Sequence, residues 1–282
     1  MTFSLAVPNK GRLKDPSVRL LTDAGLRFET TDRALSVPVR NVDMELLFVR
    51  TDDIAELVSD RVADAGITGV DLIEEHGNGL ETLVELGYGR CRLAAAVPNQ
   101  SPIEKVDEFG GLRVATAHPN ATGRFFADRS IDVDIIELRG SVEVATKIGV
   151  ADAIVDLVST GSTMRVNGLR PVGTLIESQA VLISRSDNRA SPDVQQVATA
   201  IRAVVAGRSK RYLLLNAARE SVETITELIP GLNSPTVVPL AHSDMVAIHS
   251  VVDAAEMWSL LPRLERAGAS GILVLPIEQL VP

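Results

Sequence analysis

Residues 143–164 read EVATKIGVADAIVDLVSTGSTM, and the rest of the chain is organised around them. Val142 to Gly149 predicts a short helix, with Ser141 as its N-cap and Glu143 and Lys147 on one face. Val150 to Leu157 is a run of small and apolar residues that predicts a buried strand, with Asp156 at its end. Ser159, Thr160, Gly161, Ser162 and Thr163 then make a small, hydroxyl-rich loop before a helical start at Met164. Such a strand-loop-helix suits a phosphate, because free N–H groups point at the anion and hydroxyls add donors. The same cluster also suits an ordinary turn. An ionised Asp156 can only accept hydrogen bonds, so it suits sugar hydroxyls rather than phosphate.

At 282 residues the chain is long enough for more than one domain with its own core. Its net charge of −9 argues against nucleic acid or an anionic membrane as partner, since local cations would have to overcome that field. With 3% aromatic residues, stacking platforms for single strands are not expected. Cys91 is the single cysteine, which excludes a disulfide framework and a thiolate metal site. The opening MTFSLAVPNKGRL goes straight into a strand with no signal-peptide pattern, and no apolar run reaches membrane-spanning length. A cytoplasmic location is expected.

Phe3 to Val7 predicts a buried strand, Pro8 to Arg12 a turn, and Asp15 to Ala24 a helix. Lys10 and Arg12 flanking Gly11 suit an anion site, or a solvated turn in which glycine takes a positive φ. Residues 34–39 and 44–49 alternate as two short strands. Arg50 closes the second, as a pocket cation or a surface charge, and Asp52 or Asp53 then caps a helix. Val62-Ala63-Asp64-Ala65 is echoed by Val150-Ala151-Asp152-Ala153, each copy leading into a glycine-containing turn. The echo predicts two similar lobes with ligand between them at the strand ends. Asp71 and Leu72 would face the loop across that cleft, although Asp71 also suits a helix N-terminus as a favourable charge.

Leu83 to Gly89 and then Cys91 to Val97 lead across into a second lobe, and strands follow at 112–116, 133–138 and 180–184, the last returning to the first lobe. Residues 101–111 predict a helix with a glycine stop, and His118 reads as an ordinary turn residue before a helix at 124–129. A helix over about 193–208 follows a linker-like stretch. The tail from Tyr212 to Pro276 reads β-α-β-β-α-β, which is ferredoxin-like.

The spacing Glu143-x5-Gly149-x-Ala151-x2-Ile154-x-Asp156-Leu157-x2-Thr160-Gly161-x-Thr163-Met164 closely resembles the signature of the ATP phosphoribosyltransferase family of histidine biosynthesis. The opening PNKGRL and the tail stretch PGLNSPTVVPL resemble the same family, in its long form with a regulatory domain. The resemblance implies an α/β fold with a two-lobed, periplasmic-binding-protein-like catalytic core and a C-terminal ferredoxin-like (ACT-like) βαββαβ domain. It places catalytic lobe I at 1–92 and 187–209, catalytic lobe II with the phosphate loop at 93–186, and the regulatory domain at 210–282.

The implied reaction condenses ATP with 5-phosphoribosyl 1-diphosphate to N1-(5-phosphoribosyl)-ATP and pyrophosphate. The resemblance implies catalytic roles for Lys10, Arg12, Arg50, Glu143 and Asp156. Substrate would be held by Asp71, Leu72, Asp156, Ser159, Thr160, Gly161, Ser162 and Thr163. Mg2+ is the expected cofactor, carried largely by phosphates and water, with no protein metal cage. Histidine is the expected effector, with Asn216, Ser234, Thr236, Ser270 and Gly271 as candidates; Asn216 stands where some relatives carry an acid. A homo-oligomer, dimer to hexamer, is expected, with no separate regulatory subunit. The alternative is a two-lobed small-ligand binding module without catalysis. It leaves Lys10, Arg12 and the loop without a shared purpose.

Overall fold

Two aspartates set the two lobes in register. Asp64 Oδ2 accepts the Ser4 N–H at 2.8 Å, while the Asp64 N–H donates to the Ser4 carbonyl at 2.9 Å. Asp152 Oδ2 accepts the Arg113 N–H at 3.0 Å, and its own N–H donates to the Arg113 carbonyl at 2.9 Å. In each case the aspartate precedes a strand and pins the start of the parallel strand beside it. The sequence echo is therefore a structural one. Each such bond is worth only about 1 kcal/mol net, but an unmet N–H at a strand end costs more.

The computed structural model describes residues 2–29, 34–76, 79–241 and 244–281. The chain divides into two compact units, Met1–Arg19 with Leu26–Ala198, and Leu20–Gly25 with Thr199–Pro282.

The first unit holds two sheets. One runs in the order Ser36–Pro38, Met44–Val49, Phe3–Pro8, Ala65–Gly69, Ala180–Arg185, Leu80–Glu85. The other runs Leu169–Ser178, Cys91–Pro98, Ala153–Val158, Arg113–Thr116, Asp134–Glu137. The chain passes between the sheets twice, at 86–90 and near Gln179. The two passages hydrogen-bond to each other: Ala180 N–H to the Tyr88 carbonyl at 2.9 Å and Leu86 N–H to the Ala180 carbonyl at 3.0 Å. Gly87 and Gly89 take φ of +75° and +67° there, conformations that favour glycine. Two short crossing segments between mixed sheets, each sheet with parallel pairs among its strands, make a two-lobed, binding-protein-like core.

The second unit holds an antiparallel sheet in the order Thr236–Pro239, Met245–Asp253, Lys210–Ala218, Ser270–Pro276. By sequence that is strand order 2-3-1-4, with helices Val222–Leu228 and Met257–Arg266 as the two α elements: the ferredoxin-like arrangement. Ile225, Leu260 and Leu264 from the helices bury against Leu213, Leu215, Val246 and Ile248 from the strands. No helix among the described residues is long and apolar enough to cross a membrane.

Several expectations change. Strand Ala180–Arg185 pairs with Ala65–Gly69 and Leu80–Glu85, the return to the first lobe expected of 180–184, and the second sheet ends at Ser178, short of the 186 bound. Helix Pro192–Arg208 starts in the first unit and continues into the second from Thr199. The 101–111 stretch forms only a 3-10 turn, Val106–Glu108, because Ser101 Oγ and the Glu108 carboxylate take the Ile103 and Glu104 N–H groups. Residues 142–149 likewise give a 3-10 turn, Val142–Val144, and Ser141 sits at φ +52° with no cap bond. A capping serine needs an extended backbone to turn its hydroxyl onto the helix, and Gly140 and Ser141 are both left-handed. Helix Thr51–Ser59 is preceded by Arg50, and Asp52 and Asp53 lie inside its first turn instead of capping it.

Helix Thr51–Ser59 packs on the first sheet through Gly66. A Cβ there would lie 2.5 Å from Ile54 Cγ2 and 3.0 Å from Val58 Cγ2. Gly66→Ala is expected to lower stability by about 1–3 kcal/mol through overpacking, read as a lower midpoint in urea unfolding.

Candidate functional site

Every core residue singled out in the sequence for substrate or catalysis, apart from Glu143, follows or closes the C-terminal end of a strand that runs parallel to a neighbour. Lys10 and Arg12 follow Phe3–Pro8, Arg50 follows Met44–Val49, and Asp71 and Leu72 follow Ala65–Gly69. In the second lobe, Asp156 to Thr163 close and follow Ala153–Val158, beside Arg113–Thr116. Ligands of open α/β sheets bind at such strand ends.

The loop encloses a small cavity of about 60 Å³, lined by Glu143 and by Asp156 through Met164. Gly161 takes φ +73°, a left-handed conformation that favours glycine in this turn. Thr160 Oγ1 and Ser162 Oγ are 2.9 Å apart. The following helix is short, Ser162–Val166, so the pull on an anion comes from the loop's own N–H and O–H groups rather than from a long helix dipole.

A second cavity of about 220 Å³ is lined by Lys10, Gly11, Arg12 and Leu13, by Thr51 and Asp52, by Gly69, Asp71 and Leu72, and by His118 and Leu157. It therefore draws on both lobes. Lys10 and Arg12 are exposed, and Gly11 has the positive φ (+76°) that lets the turn present them. Arg12 also donates to the buried Cys91 sulfur at 2.8 Å, which restrains it. Arg50 is exposed and lies outside this lining, although its neighbours Thr51 and Asp52 are part of it. Leu157 lines both cavities.

The electrostatics separate the two central aspartates. Asp156 is held above the usual carboxylate range, first by burial and then by Glu143; the Leu157 N–H, at 2.8 Å, and His118 act the other way. Asp71 is 3% exposed. Burial alone would raise it, but His118, with Nε2 3.6 Å away, and the Ser178 hydroxyl outweigh burial, and its carboxyl lies below the usual range.

Several residues were not found in the sequence. His118, read there as an ordinary turn residue, is buried and faces Asp71. It precedes helix Pro119–Ala127, which begins at Pro119 instead of 124. That helix is capped from the other lobe: the Glu75 carboxylate accepts the Asn120 and Ala121 N–H groups at 3.0 and 2.9 Å. Proline at the first helical position was the available local signal. Arg90 and Arg92 line a further hollow of about 230 Å³ with Ser159 and Thr160, adding cations next to the loop.

In the second unit the effector candidates fall into two groups. Ser270 Oγ donates to the Asn216 carbonyl at 3.4 Å, and a Cβ on Gly271 would lie 3.3 Å from Asn216 Nδ2. Ser234 and Thr236 are exposed, at and before the strand on the opposite edge of the sheet. Three strand spacings, about 14 Å, separate the two edges.

Fold and site together define a two-lobed α/β protein with cavities at the ends of its parallel strands. The sequence model of ATP phosphoribosyltransferase matches residues 50–203, and that of the HisG C-terminal domain matches 207–279. The ATP phosphoribosyltransferase of Haloarcula marismortui is 42% identical over 279 residues, covering 98% of this chain and 99% of its own. That of Methanothermobacter thermautotrophicus is 40% identical over 287 residues, covering both chains fully. Among solved structures, the ATP phosphoribosyl transferase (HisG:HisZ) complex from Thermotoga maritima aligns with a TM-score of 0.61 at 26% identity, covering 71% of this chain and 98% of that one. The chain belongs to the ATP phosphoribosyltransferase family, in its long form, the pentosyltransferases of histidine biosynthesis. The alternative of a binding module without catalysis is not favoured.

Asp156 binds its proton in the folded chain at a pH where the unfolded chain has already lost it. Its ionised form therefore costs stability at neutral pH, and that cost fades as the pH falls toward 3.8. Asp156→Asn is expected to raise the melting temperature at neutral pH, with the gain closing in acid, while turnover falls about 100-fold or more. Calorimetry across pH and a rate assay on the same sample check both halves.

Proposed function

We propose that the chain condenses ATP with 5-phosphoribosyl 1-diphosphate, with the second lobe's loop holding the 5-phosphate and the first lobe facing the nucleotide and the diphosphate. Leu157 carries this reading. It lines both cavities, so a phosphoribosyl group on the loop and a nucleotide against Asp71 and Leu72 meet at one place. Adenine N1 attacks the anomeric carbon with its lone pair as the bond to the diphosphate oxygen breaks. Pyrophosphate leaves with that electron pair, and N1-(5-phosphoribosyl)-ATP remains.

Ser159 to Thr163 supply donors to the 5-phosphate, and Asp156 accepts from ribose hydroxyls. A carboxylate beside an oxocarbenium-like transition state also favours its positive charge. Glu143, which lines the same cavity, adds to that field. Lys10, Arg12 and, from the rim, Arg50 offset charge on the departing pyrophosphate. Adenine N1 is a neutral nucleophile, so positioning carries much of the task without a dedicated base.

The family generally uses a divalent metal, and we assign Mg2+. Among the described residues no group of three or more His, Cys, Asp or Glu could cage a metal. The neighbouring carboxylates of Glu143 and Asp156 fit an ion held mostly by phosphates and water, with one or two protein oxygens. Such an ion, when bound, supplies charge neutralisation at the diphosphate.

Histidine is the effector we assign to the ferredoxin-like unit. A free amino acid cannot span the about 14 Å between the Ser270–Gly271 edge strand, with Asn216 on the strand beside it, and the Thr236 edge strand of one copy. Edges of neighbouring copies can face one ligand, which supports a homo-oligomer, dimer to hexamer. With a regulatory unit in the same chain, no separate regulatory subunit is required. A cytoplasmic location fits these substrates.

Absorbance-monitored formation of phosphoribosyl-ATP, with pyrophosphatase added, tests the assignment. Turnover that histidine suppresses is expected; no turnover from folded protein at low and high salt would overturn it. Thr163→Val is expected to cut turnover about tenfold or more by removing one phosphate donor, while histidine binding by calorimetry stays intact. Equal loss of both would mark a folding defect instead.

A further inference from the structure

His118 is a buried titratable residue that the chemistry above leaves unused. It is 6% exposed, lies at the start of helix Pro119–Ala127 in the second lobe, and lines the shared cavity with Lys10, Arg12 and Asp71. Its main-chain N–H donates to Thr116 Oγ1 at 2.9 Å, which fixes its backbone. Its Nε2 lies 3.6 Å from Asp71 Oδ2. The other Asp71 oxygen accepts the Ser178 hydroxyl, and Ser178 Oγ accepts the Asp71 N–H at 3.1 Å.

Asp71 belongs to the first lobe, on helix Val70–His76. Ser178 ends a strand of the second sheet, and His118 belongs to the second lobe. Both oxygens of a first-lobe carboxylate are therefore oriented by groups from the other lobe. Gly69 makes room for this, since a Cβ there would lie 2.3 Å from Asp71 Oδ1. Glu75 on the Asp71 helix and Asp156 on strand Ala153–Val158 also act on His118, while Lys10 and Arg12 line the same cavity. Burial disfavours a charged imidazole here, but Asp71, followed by Glu75 and Asp156, outweighs it and holds His118 above the usual histidine range.

We propose that His118 is a positioning residue for the transfer reaction: with Ser178 it holds the Asp71 carboxylate so that its remaining lone pairs face the nucleotide across the cleft. It acts through Asp71 and does not touch the reacting atoms. This rests on the assignment of Asp71 to the nucleotide. The imidazolium is present at lower pH and is lost as the pH rises through a value above 6.5, so Asp71 loses its charged partner in that direction.

Initial rates of the full-length chain test this, with ATP and 5-phosphoribosyl 1-diphosphate varied separately from about pH 6 to about pH 9.5. The wild type is expected to show a KM for ATP that climbs with pH. His118→Phe, which keeps an aromatic ring but no donor, is expected to raise that KM about tenfold and flatten its pH dependence. Its kcat and its KM for 5-phosphoribosyl 1-diphosphate should stay within about twofold. His118→Gln, which keeps an uncharged donor, should recover much of the affinity and remain flat with pH. It carries the test if the Phe variant does not fold. A wild-type KM and pH profile in a folded His118 variant would overturn the proposal. Asp71→Asn separates the two levels. If it leaves the KM for ATP unchanged, the nucleotide assignment of Asp71 fails and the proposal falls with it. If it weakens ATP while the His118 variants do not, that assignment stands and only the His118 role is lost.

Discussion

The constraint on which the core depends is that strand-end N–H groups must find acceptors. Asp64 and Asp152 meet it in the same way, one in each lobe, by taking the N–H of the neighbouring parallel strand at Ser4 and at Arg113. Fixing the starts of those strands fixes their ends, because register in a sheet admits no half steps. The ends are where Lys10, Arg12, Asp71, His118 and Asp156 stand. The cavities at those ends are thus placed by two carboxylates at the opposite ends of the strands, which themselves line neither cavity.

An acidic chain that handles polyanions must solve a local problem against its global field. The net charge is −9, yet Lys10 and Arg12 face one cavity while Arg90 and Arg92 flank the loop. Exposed cations within reach of a phosphate act over less than a Debye length, about 8 Å in physiological salt, whereas the remaining charge is largely screened. Local arrangement therefore outweighs the total. The two aspartates divide in the same spirit. Asp71, with an imidazole and a hydroxyl beside its oxygens, is held toward its ionised form, while Asp156, half-buried near Glu143 with one backbone donor, is pushed toward its proton.

Much of this was legible in the sequence because it is local. The 150–163 strand and loop, the PNKGR turn and the βαββαβ order of the tail are set by neighbours in the chain, and the sequence pattern reports neighbours. The parts that were missed depend on distant groups. Helix Pro119–Ala127 is capped by Glu75, over forty residues away, so no local capping residue announced its start. His118 then read as a turn residue, since nothing adjacent in sequence marks it as buried. Strand Leu169–Ser178 was not read at all. Pro171 and Gly173 break its pattern, and they are tolerated because it is an edge strand with irregular register against Cys91–Pro98.

The same distinction decides how far the ferredoxin-like unit could be read. Its core is local and periodic, and its strands fell where the pattern put them. Its candidate effector residues are not one cluster, because strand order 2-3-1-4 sends the Thr236 strand and the Ser270 strand to opposite edges. Sequence order cannot reveal this, since the two strands differ in their partners rather than in their composition. Adjacent strands lie about 4.8 Å apart, so two intervening strands put the edges beyond the reach of one small amino acid. Whatever ligand this unit takes, one copy can offer it either edge and never both, and a response to that ligand that needs both edges has to be a property of an assembly rather than of a single chain.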